Sequence, residues 1–319
     1  MAGRLSEILA IEVPIVQAPI GTAATPSLAA AVANAGGLGM LALSWSRPEQ
    51  IRDLIRATRS LTARPFGVNL VLEWPQQERL RVVLEEGVRI VSTFWGDPAE
   101  YVSLVHAAGA RLIHTVGTFD EAAQAVAAGV DILVAQGVEA GGHVRGSTPL
   151  QQLLSELTGA FPAIPVLAAG GLADVQDIAA ARVAGADGAW LGTRFVCSVE
   201  ANAAAIYQDL IIGASAGDTV LTTLFARGWP DAPHRVLRNS TIRACEAAGR
   251  AVESIAEIGD IVARTAGGAP IERYAFAFPT RTMTGNLEAM ALYAGFGVDR
   301  IRDVQPARDL VQTLAAGFR

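Results

Sequence analysis

Four short marks recur along the chain: Glu86-Gly87-Val88, Ala108-Gly109-Ala110, Ala128-Gly129-Val130 and Ala184-Gly185-Ala186. Each closes an amphipathic, mostly Ala-rich stretch and opens a short apolar run, which is the pattern of a helix C-terminus feeding a strand. Glycine suits the residue just past a helix because that position often needs φ > 0, and a Cβ makes such a backbone costly. A chain punctuated in this way builds one β–α unit after another.

Between these marks the apolar runs place eight strands, at Ile15–Pro19, Leu38–Leu43, Phe66–Leu72, Arg89–Phe94, Arg111–Val116, Asp131–Gln136, Val166–Ala169 and Ala189–Phe195. Helical periodicity lies between them at Ser27–Ala35, Pro48–Arg59, Gln76–Glu86, Ala99–Ala108, Glu121–Ala128, Leu150–Phe161 and Val175–Ala184. Strict alternation means a parallel sheet, and the near-continuous apolar strands mean that both faces are covered. Eight units favour closure into a (β/α)8 TIM barrel, with an open doubly wound sheet as the alternative. Such a barrel takes roughly 250 residues, so a chain of 319 carries an appendage. Ala201–Ala214 reads as a further helix, residues 218–285 mix Gly, Pro, Arg and short helices, and Leu287–Ala294 and Asp309–Ala316 read as helices returning to the barrel. The expected fold is therefore a TIM barrel at 1–214, a small helical or lid unit at 215–290 and C-terminal helices at 291–319.

Composition narrows the setting. Half the residues are apolar and the mean hydropathy is +0.34, yet no apolar run reaches the roughly 18 residues of a membrane span. Residues 1–6 show no secretory or transit signal, and the two cysteines, Cys197 and Cys245, lack metal or redox spacing. A cytoplasmic protein with no membrane partner is expected. With a net charge of −6, a pI near 5.3 and no Lys at all, the chain offers no basic stripe for a phosphate backbone, so nucleic acid is not an expected partner.

In a (β/α)8 barrel the loops after the strands form the active face. The seventh strand ends in Ala168-Ala169-Gly170-Gly171 with a helix directly behind it, and the eighth in Gly192-Thr193-Arg194. Adjacent glycines let the backbone approach a ligand, and amides opening a helix face an anion. These two loops are where barrels commonly hold a phosphate. The sixth strand leads into Gln136-Gly137-Val138-Glu139-Ala140-Gly141-Gly142-His143, which puts a titratable side chain on a glycine-lined active-face loop. Of the other histidines, His106 reads as a solvated or partly packed helix residue and His234 as part of a turn. His114 ends the fifth strand and reads equally as a mouth residue or a core residue.

The chain resembles the nitronate monooxygenase family, formerly called 2-nitropropane dioxygenases, whose barrel also serves flavin-dependent enoyl-acyl-carrier-protein reductases and some NADH:quinone reductases. The matching stretches are Gln17-Ala18-Pro19-Ile20, Asn34-Ala35-Gly36-Gly37-Leu38-Gly39, Gly67-Val68-Asn69-Leu70, Glu139-Ala140-Gly141-Gly142-His143, Ala168-Ala169-Gly170-Gly171 and Gly192-Thr193-Arg194-Phe195. The resemblance implies FMN as cofactor, with Ala18, Pro19 and Ile20 lining its ring and Asn69 and Gln136 hydrogen-bonding it. Gly141 and Gly142 would pass close to the ring, and Ala169, Gly170, Gly171, Gly192 and Thr193 would surround the phosphate. His143 would be the catalytic base over the flavin, and the substrates would be a small nitronate or nitroalkane and O2. Two departures touch the substrate side: Val144 intervenes between His143 and Arg145-Gly146, and Phe296 follows Tyr293-Ala294-Gly295 where the family often has a polar residue. Two other readings stay open: an NAD(P)H-dependent reductase of a quinone or enoyl thioester, and a flavin- or phosphate-ligand-binding protein without turnover. Tyr274 and Tyr293 read as either substrate contacts or packing, and the oligomeric state is not legible.

Overall fold

The computed structural model describes residues 3–249 and 260–318. A short helix, α1 (Arg4–Leu9), precedes the strands β1 (Ile15–Gln17), β2 (Met40–Ala42), β3 (Gly67–Val71), β4 (Ile90–Phe94), β5 (Arg111–Val116) and β6 (Ile132–Gln136). A two-residue strand, β7 (Gly142–His143), is followed by β8 (Val166–Ala169) and β9 (Gly188–Leu191). All but β7 form one eight-stranded parallel sheet in the order β1-β9-β8-β6-β5-β4-β3-β2. A parallel bridge between Val16 and Leu38 joins its two edges. The expected barrel is observed, and closure removes the exposed edges that an open sheet would keep.

Helices α2 (Pro26–Asn34), α3 (Pro48–Leu61), α4 (Gln77–Glu85), α5 (Ala99–Ala107), α6 (Phe119–Ala128), α7 (Leu150–Ala160) and α8 (Val175–Val183) coat the barrel. Thr25, Thr118 and Asp174 cap α2, α6 and α8 with side-chain oxygens that accept backbone N–H groups, satisfying donors that a helix start leaves unpaired. Gly87, Gly109, Gly129 and Gly185 all have positive φ, as the repeated marks require.

Strand alternation divides the apolar residues into two layers. Leu112, Leu133, Val166 and Ala189 face the helices in one buried cluster, whereas Ile113, Ile132, Val134, Leu167 and Trp190 fill the barrel with Leu5 and Leu9 of α1. Helix α1 therefore plugs the end opposite the active face, next to Gly188, where an added Cβ would lie 2.5 Å from a Leu5 methyl. Fully buried leucines of this kind are worth roughly 2–5 kcal/mol against truncation to Ala.

After β9 come α9 (Thr193–Val196), α10 (Ala205–Ile212), β10 (Thr219–Thr222), β11 (His234–Leu237), α11 (Ser240–Ala247), β12 (Ile261–Arg264), β13 (Pro270–Glu272), β14 (Thr284–Gly285) and α12 (Ala307–Leu314). Helix α12 returns to pack on α2 and α8. The appendage also contains strands that the sequence pattern does not signal, in two three-stranded sheets, β10-β11-β7 and β13-β12-β14. Expected helix Leu287–Ala294 is a single turn at Leu287–Ala289 followed by extended chain that bridges Tyr293 to Val236. That extended course lets the segment pair with β11 instead of packing as a separate helix. Residues 250–259 of the 215–290 unit lie outside the described residues.

Candidate active site

A cavity of about 450 Å³ opens at the C-terminal ends of the barrel strands. The residues assigned from the sequence to the cofactor or to catalysis all line it: Ala18, Pro19, Ile20, Asn69, Gln136, Gly141, Gly142, His143, Ala169, Gly170, Gly171, Gly192 and Thr193. The barrel geometry explains the convergence, because these residues lie on or follow β1, β3, β6, β8 and β9.

On one side the backbone forms a cradle. Gly170 and Gly171 have φ of +113° and +71°, and a Cβ on Gly170 would lie 3.0 Å from the Ala140 amide nitrogen. Both the conformation and the close approach therefore require glycine. Behind them Asp174 caps α8, and Arg300 ties the loop down by donating to Gly171 O (2.8 Å) and pairing with Asp177 (2.8 Å). Thr193 opens α9, and its Oγ1 accepts the Gly295 N–H at 3.1 Å, which leaves the hydroxyl proton for a ligand. At β1, Gln17 donates to the carbonyls of Ala18 and Met40 and accepts the Met40 N–H, fixing the Ala18-Pro19-Ile20 segment that follows.

The polar groups on the opposite side are held by second contacts. The Ser92 hydroxyl donates to Asn69 Oδ1 at 2.8 Å, turning the donor end of that amide toward a ligand. Gln136 donates to His143 O (3.0 Å) and accepts from Arg145 N (3.0 Å). Both ends of its amide thus serve the His143 loop, and they span Val144, whose N–H donates to Pro233 O while its side chain is buried. The extra residue at 144 prolongs the pairing of β7 with β11. The other departure, Phe296, lies 4.4 Å beneath the Arg235 guanidinium.

His143 sits opposite His234 in the β7–β11 pair. Its ring stacks on Trp229, with centroids 4.0 Å apart and planes at 24°, and Tyr293 and His234 stand 5.6 and 5.3 Å away. Nε2 is buried without a hydrogen-bond partner. Burial, reinforced by His234, holds the imidazole well below the ordinary histidine range, so it is neutral at pH 7. His234 is also neutral: Nδ1 donates to Ala232 O, Nε2 accepts from Phe225 N, and burial pulls its pKa down to about 4.

The remaining candidates separate cleanly. His114 does not face the cavity, because the alternation that sends Ile113 and Thr115 inward sends His114 toward the helices, where Nδ1 meets Thr93 Oγ1 at 2.8 Å. His106 is a surface partner of Asp131. Tyr274 packs against a cluster that includes Phe225 and Val236, whereas Tyr293 lines the cavity and donates to Phe276 O at 2.8 Å. Sequence reasoning missed Trp45 and Phe276; it read His234, which the structure places in β11, as a turn residue, and it named Trp229 only within a segment that either covers the mouth or packs as a turn. The one available signal was Trp229 itself, a large aromatic in a Gly/Pro-rich loop beyond the barrel.

A family model described as nitronate monooxygenase matches residues 2–79 and 72–317. The nitronate monooxygenase of Pseudomonas aeruginosa PAO1 is 33% identical to this chain, with 100% of each covered. Among solved structures, FabK from Thermotoga maritima has a TM-score of 0.82 at 30% identity and covers 100% of this chain and 96% of its own. Nitroalkane oxidase from Streptomyces ansochromogenes has a TM-score of 0.78 at 30% identity, with 98% and 97% covered. Fold, cavity and likeness together define a barrel oxidoreductase of the flavoprotein class. Within that class, the chain belongs to the nitronate monooxygenase family. Among the described residues no helix is long and apolar enough to cross a membrane.

Proposed function

We propose that this chain is an FMN-dependent nitronate monooxygenase that converts nitroalkanes and their nitronates, with O2, into a carbonyl compound and nitrite. The observation that carries the reading is the buried, unpartnered Nε2 of a neutral imidazole at the same cavity as the Gly170-Gly171 cradle.

The residues present fit the cofactor. The amides around Gly170, Gly171 and Gly192 and the free hydroxyl proton of Thr193 would hold the 5′-phosphate, Ala18, Pro19 and Ile20 would line the ring, and the Asn69 amide would donate to it. FMN bound there would supply the redox chemistry, as the acceptor of electrons from the nitronate and their donor to O2. The protein does the rest. With a neutral nitroalkane, His143 takes the α-proton onto Nε2, and the imidazolium then stands beside the nitronate anion in a charge-assisted contact. Trp229 fixes the plane of the ring, and Gln136 fixes its backbone. With a preformed nitronate no proton needs to be removed, and His143 serves only to accommodate charge.

The second reading, an NAD(P)H-dependent reductase of an enoyl thioester or quinone, draws on the likeness to FabK. Anaerobic mixing of the FMN-loaded protein with an alkyl nitronate, and separately with NADH or NADPH, separates the two. Bleaching by the nitronate alone is expected; bleaching by the nicotinamide alone would replace the monooxygenase reading with the reductase.

A further inference from the structure

The outer half of the cavity is walled by rings from separate parts of the chain. Trp45 follows β2, Phe94 ends β4, Trp229 lies between β10 and β11, and Phe276 and Phe278 lie between β13 and β14. Trp45 stands 6.1 Å from Trp229 and 5.5 Å from Phe276, centroid to centroid. Trp74 backs both tryptophans at 5.6 and 5.3 Å, and Trp95 braces Trp229 at 5.0 Å. Of five tryptophans in the chain, only Trp190 stands apart from this group. Trp45 is 45% exposed, so the ring group reaches the surface as a contiguous apolar patch, the kind of patch that marks a ligand groove.

Among the described residues that line the cavity there is no Asp, Glu or Arg, and the chain has no Lys. The nearby guanidiniums are engaged: Arg145 pairs with Glu121 and lies 4.8 Å over Trp95, and Arg235 donates to Val138 O from two nitrogens. A carboxylate or phosphate on a substrate's substituent would lose water here without gaining a counter-ion. An alkyl chain would be served by any apolar lining, whereas rigid rings offering faces and edges add a directional attraction for another ring.

We infer that Trp45, Trp229 and Phe276 form a specificity wall for substrates whose nitro-bearing carbon carries an uncharged aromatic group. This rests on the nitronate reading proposed above. The wall acts on the substituent, while His143 acts on the reacting end. It orders substrates by side chain: aromatic first, short alkyl next, carboxylate-bearing last.

The test uses the FMN-loaded protein and the nitronates of phenylnitromethane, nitroethane and 3-nitropropanoate. In parallel, quenching of tryptophan fluorescence measures binding of 4-nitrotoluene, a planar nitro compound that cannot form an alkyl nitronate at its nitro-bearing carbon. The expected kcat/KM is about tenfold higher for phenylnitromethane than for nitroethane, with 3-nitropropanoate below both. Trp45→Ala and Phe276→Ala are each expected to shrink the aromatic preference several-fold, roughly the worth of one ring contact, and to weaken 4-nitrotoluene binding, with Trp45→Phe restoring most of both. Equal or better use of 3-nitropropanoate, or 4-nitrotoluene binding untouched in both alanine variants, would overturn the wall. Should no nitronate be consumed, the proposed reaction fails, and loss of 4-nitrotoluene binding in the alanine variants would still support an aromatic wall.

Discussion

The imidazole of His143 lies 4.0 Å from the indole of Trp229, nearly parallel to it, although the two residues belong to different segments of the chain. The stack holds the ring plane, and pairing with His234 across β7 and β11 holds the backbone. In Trp229→Ala the imidazole proposed as the base is retained but free to turn, so kcat on neutral nitroalkanes is expected to fall roughly tenfold or more, the scale at which misplaced catalytic groups lose rate. Trp229→Phe keeps a ring beneath the imidazole and should recover most of it. Steady-state kinetics of the two variants, with flavin content measured alongside, checks this.

Gly170 tests the cradle. Ala at φ +113° strains the backbone, and its Cβ would press on Ala140 N at 3.0 Å and Gly137 O at 3.1 Å. Gly170→Ala is expected to weaken FMN binding about tenfold or more, given the roughly 1–2 kcal/mol that left-handed backbone costs a residue with a Cβ. Equilibrium titration of the flavin-free protein with FMN reads it directly.

Arg300 tests whether the cradle must be held from behind. It donates to Gly171 O and pairs with Asp177 without being part of the cavity lining. Arg300→Ala should raise the Kd for FMN several-fold while leaving kcat at saturating FMN close to that of the parent, a split seen by varying FMN in the assay.

Buried neutral histidines make the fold acid-sensitive. Burial brings His114 and His234 down to about 4, whereas the unfolded chain protonates them near 6.5. Between those values the unfolded state binds more protons, so stability is present above about pH 6.5 and is lost as the pH falls toward 4, by about 3 kcal/mol for each histidine. Denaturant midpoints should drop through that window, and less steeply in His114→Gln than in the parent.

The barrel was legible because a parallel strand covered on both faces must be apolar throughout, and because four of the helix ends carry a glycine at positive φ. The cradle and His143 were legible for a related reason: loops after barrel strands converge, so Gly170-Gly171, Gly192-Thr193 and His143 needed no long-range information to be brought together. Trp229 and His234 reach the site through an antiparallel pairing of β7 with β11, which no local periodicity announces, and the separate sheet β13-β12-β14 is equally unsignalled. His114 was ambiguous only because the register of β5 was unknown; the observed alternation of Ile113 and Thr115 decides it. The sequence places Gln136 at the mouth, but its grip on both sides of Val144 emerges only from the folded loop.

The proposed removal of the α-proton by His143 is tested most directly by the rate of anaerobic flavin reduction in FMN-loaded parent and His143→Asn, each mixed with nitroethane and with its preformed nitronate. The expected result is that the variant keeps its flavin, slows with nitroethane by roughly 10²–10⁴-fold, the usual worth of a general base, and slows far less with the nitronate. Equal rates for parent and variant with neutral nitroethane would contradict it.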